Sequence, residues 1–252
     1  MGSSMTNDVR TAIVTGAYGG IGRAITEVLL EEGFAVTMVG RDPDRLRTAA
    51  DLLAPAGNAE LRWLAGSLAD EEFLDEVAAS HGGSYGSLDL LVNNAGVAGT
   101  RAVGELTAEF VDAQFAVNTR AVILLTTKCL ALLRNAVGER GSAQVVNTAS
   151  NAGKRGEAML SSYSASKAAV VGFTEALHDE LAGEGIKATA ICPGLTDTPM
   201  ADDYREGGAV EMIAPRDVAE TVRLTTRLSR ACIIPEIVLL RPTEWVAGSE
   251  LR

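Results

Sequence analysis

An α/β architecture, one parallel sheet covered by helices on both faces, is predicted by three observations. Short β-rich runs alternate with amphipathic helical patterns from one end of the chain to the other, the sign of repeated β-α-β units. No break in composition divides the 252 residues, a length that one large α/β core accommodates. A glycine-rich segment joins the first strand-like run to the first helical one, the place where such sheets bind ligands.

The elements follow in order. Residues 11–15 are a strand, and Ile21, Ala24, Ile25, Val28 and Leu29 then repeat at helical spacing until Gly33 stops the helix. Residues 35–39 form the second strand, Asp42-Pro43 starts a helix, and 61–65 form the third strand. Asp70 opens a further helix, 88–92 is the fourth strand, 107–135 has the length of one long helix, and 144–148 is the fifth strand. A helix over 161–182, a strand over 187–192, a helix over 215–228 and a last strand over 237–240 complete seven strands and six helices. The result is a single doubly wound Rossmann-type domain over residues 10–252, with a seven-stranded parallel sheet and with residues 1–9 left outside it. Its chemistry is expected in the loops at the carboxyl ends of the strands.

Composition narrows the function. With 22 basic and 33 acidic side chains the formal charge is −11, which argues against nucleic acid and anionic membranes as partners. The longest wholly apolar runs fall far short of the roughly 18 residues that span a bilayer. Two histidines, His81 and His178, and three separated cysteines, Cys129, Cys192 and Cys232, show no metal-binding or redox spacing. No metal site, no zinc or thiol mechanism and no disulfide framework is expected, and reduced thiols point to a cytoplasmic protein.

The first loop, Thr15-Gly16-Ala17-Tyr18-Gly19-Gly20-Ile21-Gly22, lets backbone N–H groups approach a pyrophosphate at the positive end of a helix, as a dinucleotide site requires. The tip after the second strand, Gly40-Arg41-Asp42-Pro43, decides which adenosine ribose is read. Gly40 offers no carboxylate to repel a 2'-phosphate, and Arg41 can pair with one through its planar fork, so NADP(H) is expected over NAD(H). The alternative is a solvated Arg41 beside an Asp42 that only caps its helix.

Tyr163 and Lys167 stand four residues apart on one helix face. A free phenol titrates at about 10, and a nearby cation lowers that by favouring the phenolate. Ser150, thirteen residues upstream, falls just past the fifth strand, so both hydroxyls can reach one crevice. A hydrolase-like Gly82-Gly83-Ser84-Tyr85-Gly86 is set aside, because a nucleophile elbow needs a strand before it and a helix after it; the segment reads as a flexible turn.

With these residues in place the chain resembles the short-chain dehydrogenase/reductase family. The T-G-x-x-x-G-x-G pattern matches Thr15 to Gly22, N-N-A-G matches Asn93 to Gly96, Y-x-x-x-K matches Tyr163 and Lys167, and P-G matches Pro193-Gly194. The family's catalytic serine falls on Ser150, and its helix asparagine on Asn118.

The resemblance implies hydride transfer between a nicotinamide and a carbonyl or alcohol carbon. Tyr163 would be the general acid/base and Ser150 would orient the oxygen. Lys167 would lower the Tyr163 pKa and hold the nicotinamide ribose, and Asn118 would place a relay water. By the same resemblance Gly16, Ala17, Tyr18, Gly19, Ile21, Ser67, Leu68, Asn94, Ala95 and Gly96 line the cofactor cleft. Pro193, Gly194, Thr196 and Thr198 belong beside its nicotinamide end. Two departures stand out: many members carry a small serine where Tyr18 stands and an aspartate where Ser67 stands.

For substrate, Met159, Leu160, Met200, Tyr204 and Met212 are candidates for a permissive apolar pocket suited to ketones or aldehydes. Two alternatives stay open. One is a 3-oxoacyl-carrier-protein reductase, for which Lys154 and Arg155 offer a partial basic patch against the acidic Glu175, Asp179, Glu180 and Glu184. The other is an NADP-sensing or scaffold protein without catalysis. The resemblance also implies a homotetramer or homodimer packed through the 107–135 and 161–182 helices, where Ala165, Ala168, Ala169 and Gly172 allow close approach or equally suit packing on the sheet.

Overall fold

The computed structural model describes residues 9–53, 60–202 and 211–242. Seven parallel strands form one sheet in the order β3-β2-β1-β4-β5-β6-β7. They are β1 (Thr11–Thr15), β2 (Ala35–Gly40), β3 (Leu61–Ala65), β4 (Leu90–Asn93), β5 (Ala143–Thr148), β6 (Ile186–Pro193) and β7 (Glu236–Leu239). The strand order reverses between β1 and β4, so the ligand crevice opens at the carboxyl ends of these two strands.

Alternation along the buried strands divides the core. Ala12 and Val14 of β1 face one layer with Ile25, Leu29, Val218 and Val222, whereas Ile13 faces the other with Leu74, Val77, Leu125 and Leu133. The first layer is made by α1 (Gly20–Glu31), α2 (Pro43–Leu52) and α7 (Pro215–Arg227). The second holds α3 (Glu71–Tyr85), α4 (Ala108–Phe115), α5 (Ala121–Arg140) and α6 (Ser161–Leu181). Outside the first layer, Arg216 pairs with Glu31 at 2.8 Å and Arg227 with Glu32 at 2.5 Å, tying α7 to the end of α1.

Several elements differ from expectation, each for a local reason. The fourth strand begins at Leu90 because Leu88 N–H is drawn away to the Leu132 carbonyl of α5, and it runs on to Asn93, opposite Asn147. The helix expected to stop at 135 continues to Arg140 and ends at Gly141 in the left-handed region, φ +82°. Within it, the Asn135 side chain donates to the Gly86 carbonyl at 2.8 Å. That helix is also not uniform: between α4 and α5, residues Ala116–Arg120 form a π turn centred on Asn118.

The 82–86 segment is not a flexible turn either. Residues 82–85 finish α3, and only Gly86, φ +75°, breaks the helix. His81 beside it is buried, with Nδ1 at 2.9 Å from Thr37 Oγ1, and desolvation pushes its pKa down to about 4.

The continuous rod Ala108–Arg140 is, by length and composition alone, apolar enough to cross a membrane. In the fold, Leu125, Cys129, Leu133 and Ala136 are buried in the second layer, as in a core helix.

Candidate active site

Two loops meet at the switch point because of one hydroxyl. Thr15, the last residue of β1, accepts from Asn94 N–H at 2.9 Å and from Ala95 N–H at 3.0 Å through Oγ1, and Asn94 Nδ2 donates to the Thr15 carbonyl at 3.1 Å. The Thr15 to Gly22 turn and the Asn93 to Gly96 segment are thereby fixed as one wall. Gly16 adopts φ +66°, and a Cβ there would come 2.9 Å from Ala95 Cα, so this backbone cradle requires glycine. The cradle ends at the amino terminus of α1, the donor chemistry a pyrophosphate needs, and the residues present fit a dinucleotide.

Of the remaining residues expected around the cofactor, Ala17 is buried under the loop, while Tyr18, Gly19 and Ile21 are half-buried along it. Arg41 is exposed at the end of β2. Asp42 does cap α2, accepting from Asp44 and Arg45 N–H at 3.0 Å each. Ser67 is exposed with Oγ accepting Ala69 N–H at 3.3 Å, and Leu68 is buried in the core. Pro193 ends β6, Thr196 Oγ1 donates to the Gly194 carbonyl at 3.0 Å, and Thr198 follows on the same loop.

The four expected catalytic residues come together from three elements. Ser150, buried just past β5, caps a short turn by accepting Ala152 N–H at 3.2 Å. Tyr163 and Lys167 lie on the first turns of α6, with the ammonium 5.9 Å from the centre of the phenol ring. Lys167 is buried, donates to the Thr148 carbonyl at 2.8 Å, and is pushed by desolvation down to about 8. Asn118, fully buried in the π turn, clasps Val97: Oδ1 accepts Val97 N–H at 2.8 Å, and Nδ2 donates to the Val97 carbonyl at 2.9 Å and to Ser166 Oγ at 3.0 Å. Gly96 closes the group, since a Cβ on it would lie 3.3 Å from Asn118 Oδ1 and 3.4 Å from Lys167 Nζ.

This constellation on this sheet can be set beside known proteins. A family model described as short chain dehydrogenase matches residues 10–208. The chain belongs to the short-chain dehydrogenase family. It is therefore an oxidoreductase of that family, with the Rossmann-like sheet described above. A putative ketoacyl reductase of Streptomyces coelicolor is 39% identical over 201 residues, covering 80% of this chain and 76% of the relative. A variant of actinorhodin polyketide ketoreductase, solved with NADPH, superposes with a TM-score of 0.82 at 34% identity, covering 92% of this chain and 95% of the other. A 3-ketoacyl-(acyl-carrier-protein) reductase from Brucella melitensis, solved with NADH, gives 0.82 at 26% identity, covering 91% and 95%.

Three parts of the site escaped the sequence reading. Beneath it runs a buried amide chain: Asn93 Nδ2 donates to Asn147 Oδ1 at 2.9 Å, and Asn147 Nδ2 to Thr174 Oγ1 at 2.9 Å, joining β4, β5 and α6. Its only signal is polar residues at strand positions that should be apolar. Gly153 presses the Ser150 turn onto α6, where a Cβ would come 2.7 Å from the Lys167 carbonyl carbon. Gln114, buried on α4, accepts from Ser162 Oγ at 2.6 Å next to Tyr163. Among the described residues no group of His, Cys, Asp and Glu side chains is placed to hold a metal ion.

At the rim, Met159 and Met200 are about half exposed, Leu160 and Met212 are partly covered, and Tyr204 lies outside the described residues. Met159 holds φ +67°, rare for a side chain with a Cβ, while its carbonyl accepts Arg101 N–H at 2.8 Å. Lys154 is paired with Glu236 at 2.7 Å, and Arg155 is exposed.

Proposed function

We propose that this protein is an NADP(H)-dependent reductase of ketones or aldehydes, running reversibly, with Tyr163 as the general acid/base. The observation that carries the reading is the convergence of Ser150, Tyr163, Lys167 and Asn118 at the carboxyl end of β4 and β5, beside the glycine cradle. NADP(H), when bound, supplies or accepts the hydride at its nicotinamide.

The chain's own groups handle the oxygen and its proton. Ser150 donates to the carbonyl oxygen and orients it, and Tyr163 hands that oxygen a proton, or removes it in the reverse direction. Lys167, whose pKa burial holds near 8, biases the neighbouring phenol toward phenolate and exchanges protons near neutral pH. Asn118 serves the relay by position: its amide is spent on Val97 and Ser166, while the π turn interrupts the helical ladder near Lys167. Thr196 and Thr198 would hold the nicotinamide amide, and Arg41 the 2'-phosphate. A cytoplasmic location fits the reduced, separated cysteines.

The choice of carbonyl rests on the rim, where Met159, Leu160, Met200 and Met212 favour apolar substrates. A 3-oxoacyl thioester on a carrier protein is the second reading. It is favoured by the names of the relatives and by exposed Arg155, and weakened by Lys154, whose charge Glu236 already answers. Ala165, Ala168 and Gly172 of α6 are exposed rather than packed on the sheet, which supports a homotetramer or homodimer through this helix and the α4–α5 rod. Sedimentation at one rotor speed series settles that point, a monomer rejecting it.

The test of function mixes purified protein and NADPH with aliphatic and aromatic ketones, aldehydes and 3-oxoacyl thioesters, and follows loss of reduced nicotinamide. Turnover of simple carbonyls is expected. Activity confined to carrier-bound thioesters moves the protein to the second reading, and binding of NADPH without turnover of any carbonyl makes it a sensor.

A further inference from the structure

The adenosine end of the cleft holds an arrangement that the glycine loop and Arg41 do not account for. Tyr18 lays its ring against Gly40, and a Cβ on Gly40 would come 2.6 Å from two of its ring carbons. The last residue of β2 thus leaves room for a phenol. Arg45, on the first turn of α2, sets its guanidinium 4.7 Å from the centre of that ring. Its backbone is fixed as well, because Arg45 N–H donates to the capping Asp42 carboxylate at 3.0 Å.

The chain as a whole is acidic, its acidic residues outnumbering its basic ones by 33 to 22. On the same helix Arg47 is answered by Asp44 at 2.8 Å. Arg41 and Arg45, both exposed, make no ion pair among the described residues. Two unanswered forks therefore stand four positions apart at the carboxyl end of β2. One of them is held by an aromatic face, an interaction worth about 0.5–1 kcal/mol at an exposed site.

We infer that Arg45 is a second residue for the adenosine 2'-phosphate, acting with Arg41, and that Tyr18 is the positioning residue that holds it in place. The inference rests on the NADP(H) reading above. A phosphomonoester dianion takes two guanidinium forks where one leaves oxygens unpaired. A guanidinium already laid on a ring loses less rotamer freedom when it closes on that phosphate.

The test is calorimetric titration of the protein with 2',5'-ADP and with 5'-AMP, which needs no turnover. The wild type should prefer 2',5'-ADP. Arg45→Ala should weaken 2',5'-ADP about tenfold, the scale of one charge-assisted hydrogen bond, and change 5'-AMP less than about twofold. Tyr18→Ser should lose most of the same preference, and the double variant should be no weaker than Arg45→Ala alone. Circular dichroism confirms that each variant is folded. If Arg45→Ala leaves 2',5'-ADP affinity unchanged, or weakens both nucleotides alike, the role of Arg45 is refuted while the NADP(H) reading stands. If Tyr18→Ser and Arg45→Ala act additively, the positioning role of Tyr18 is refuted. A wild type that binds 5'-AMP as tightly as 2',5'-ADP overturns the NADP(H) reading and this inference with it.

Discussion

Replacing Asn118 with alanine should be among the most damaging single changes to the site that leave the glycine cradle untouched. The side chain is fully buried and makes three hydrogen bonds, two to the Val97 main chain at 2.8 and 2.9 Å and one to Ser166 Oγ at 3.0 Å. Ser166 keeps an outlet, since its hydroxyl donates to the Tyr163 carbonyl at 2.7 Å. Val97 does not, and each stranded polar group costs about 1–3 kcal/mol. Val97 is half-buried, so water reaches it in part and the lower half of that range applies. Two stranded groups plus the space left by a carboxamide come to about 3 kcal/mol.

For a domain of this size each kcal/mol moves the melting temperature by about 2–4 °C, so Asn118→Ala should melt about 6–12 °C below the wild type. Differential scanning calorimetry reads the shift, and turnover at saturating NADPH should fall at least about tenfold as the 94–97 segment loosens beside Lys167. A melting temperature within 2 °C of the wild type, by the low end of the same scaling, would show that Val97 is held by something other than this side chain.

Tyr163→Phe should lose at least about a hundredfold in kcat while NADPH binding, read by fluorescence titration, stays within about twofold, because only the acid/base proton is removed. Gly153→Ala should destabilise by about 1–3 kcal/mol in urea unfolding, since the new methyl meets main chain at 2.7 Å and cannot be accommodated by a rotamer change. His81 makes stability acid-sensitive. Its folded pKa of about 4 lies below the ordinary 6.5, so between these values the unfolded chain binds more protons and stability falls as pH drops through that window. Replacing His81 with glutamine should flatten the urea midpoint between pH 6.5 and pH 4 relative to the wild type; an unchanged slope would assign the acid sensitivity to other groups.

The sequence carries the sheet well because β1 and β2 are buried on both faces and read as largely apolar runs, and because Gly33 and Asp42-Pro43 mark helix ends locally. It carries Ser150, Tyr163 and Lys167 because their spacing within one β-α unit is itself the geometry. The π turn is hidden, since nothing in Ala116–Arg120 is foreign to an α-helix, and the partner its Asn118 clasps, Val97, sits on another loop. The roles of Gly96 and Gly153 are hidden for the same reason, their close neighbours arriving on α6 and the π turn. Arg45 is hidden because Tyr18 reaches it from a different loop, and only the fold shows the ring between them.

The π turn also changes how this helix can be edited. Geometrically it equals one residue inserted into an α-helix, absorbed within a single turn so that the apolar faces before and after it still look at the same core. Removing one residue from Ala116–Arg120 would therefore restore a regular ladder without turning Leu125, Cys129 and Leu133 away from the sheet. Such a deletion is a length change the scaffold can absorb, and what it alters is the clasp of Asn118 on Val97, which is made from within the π turn.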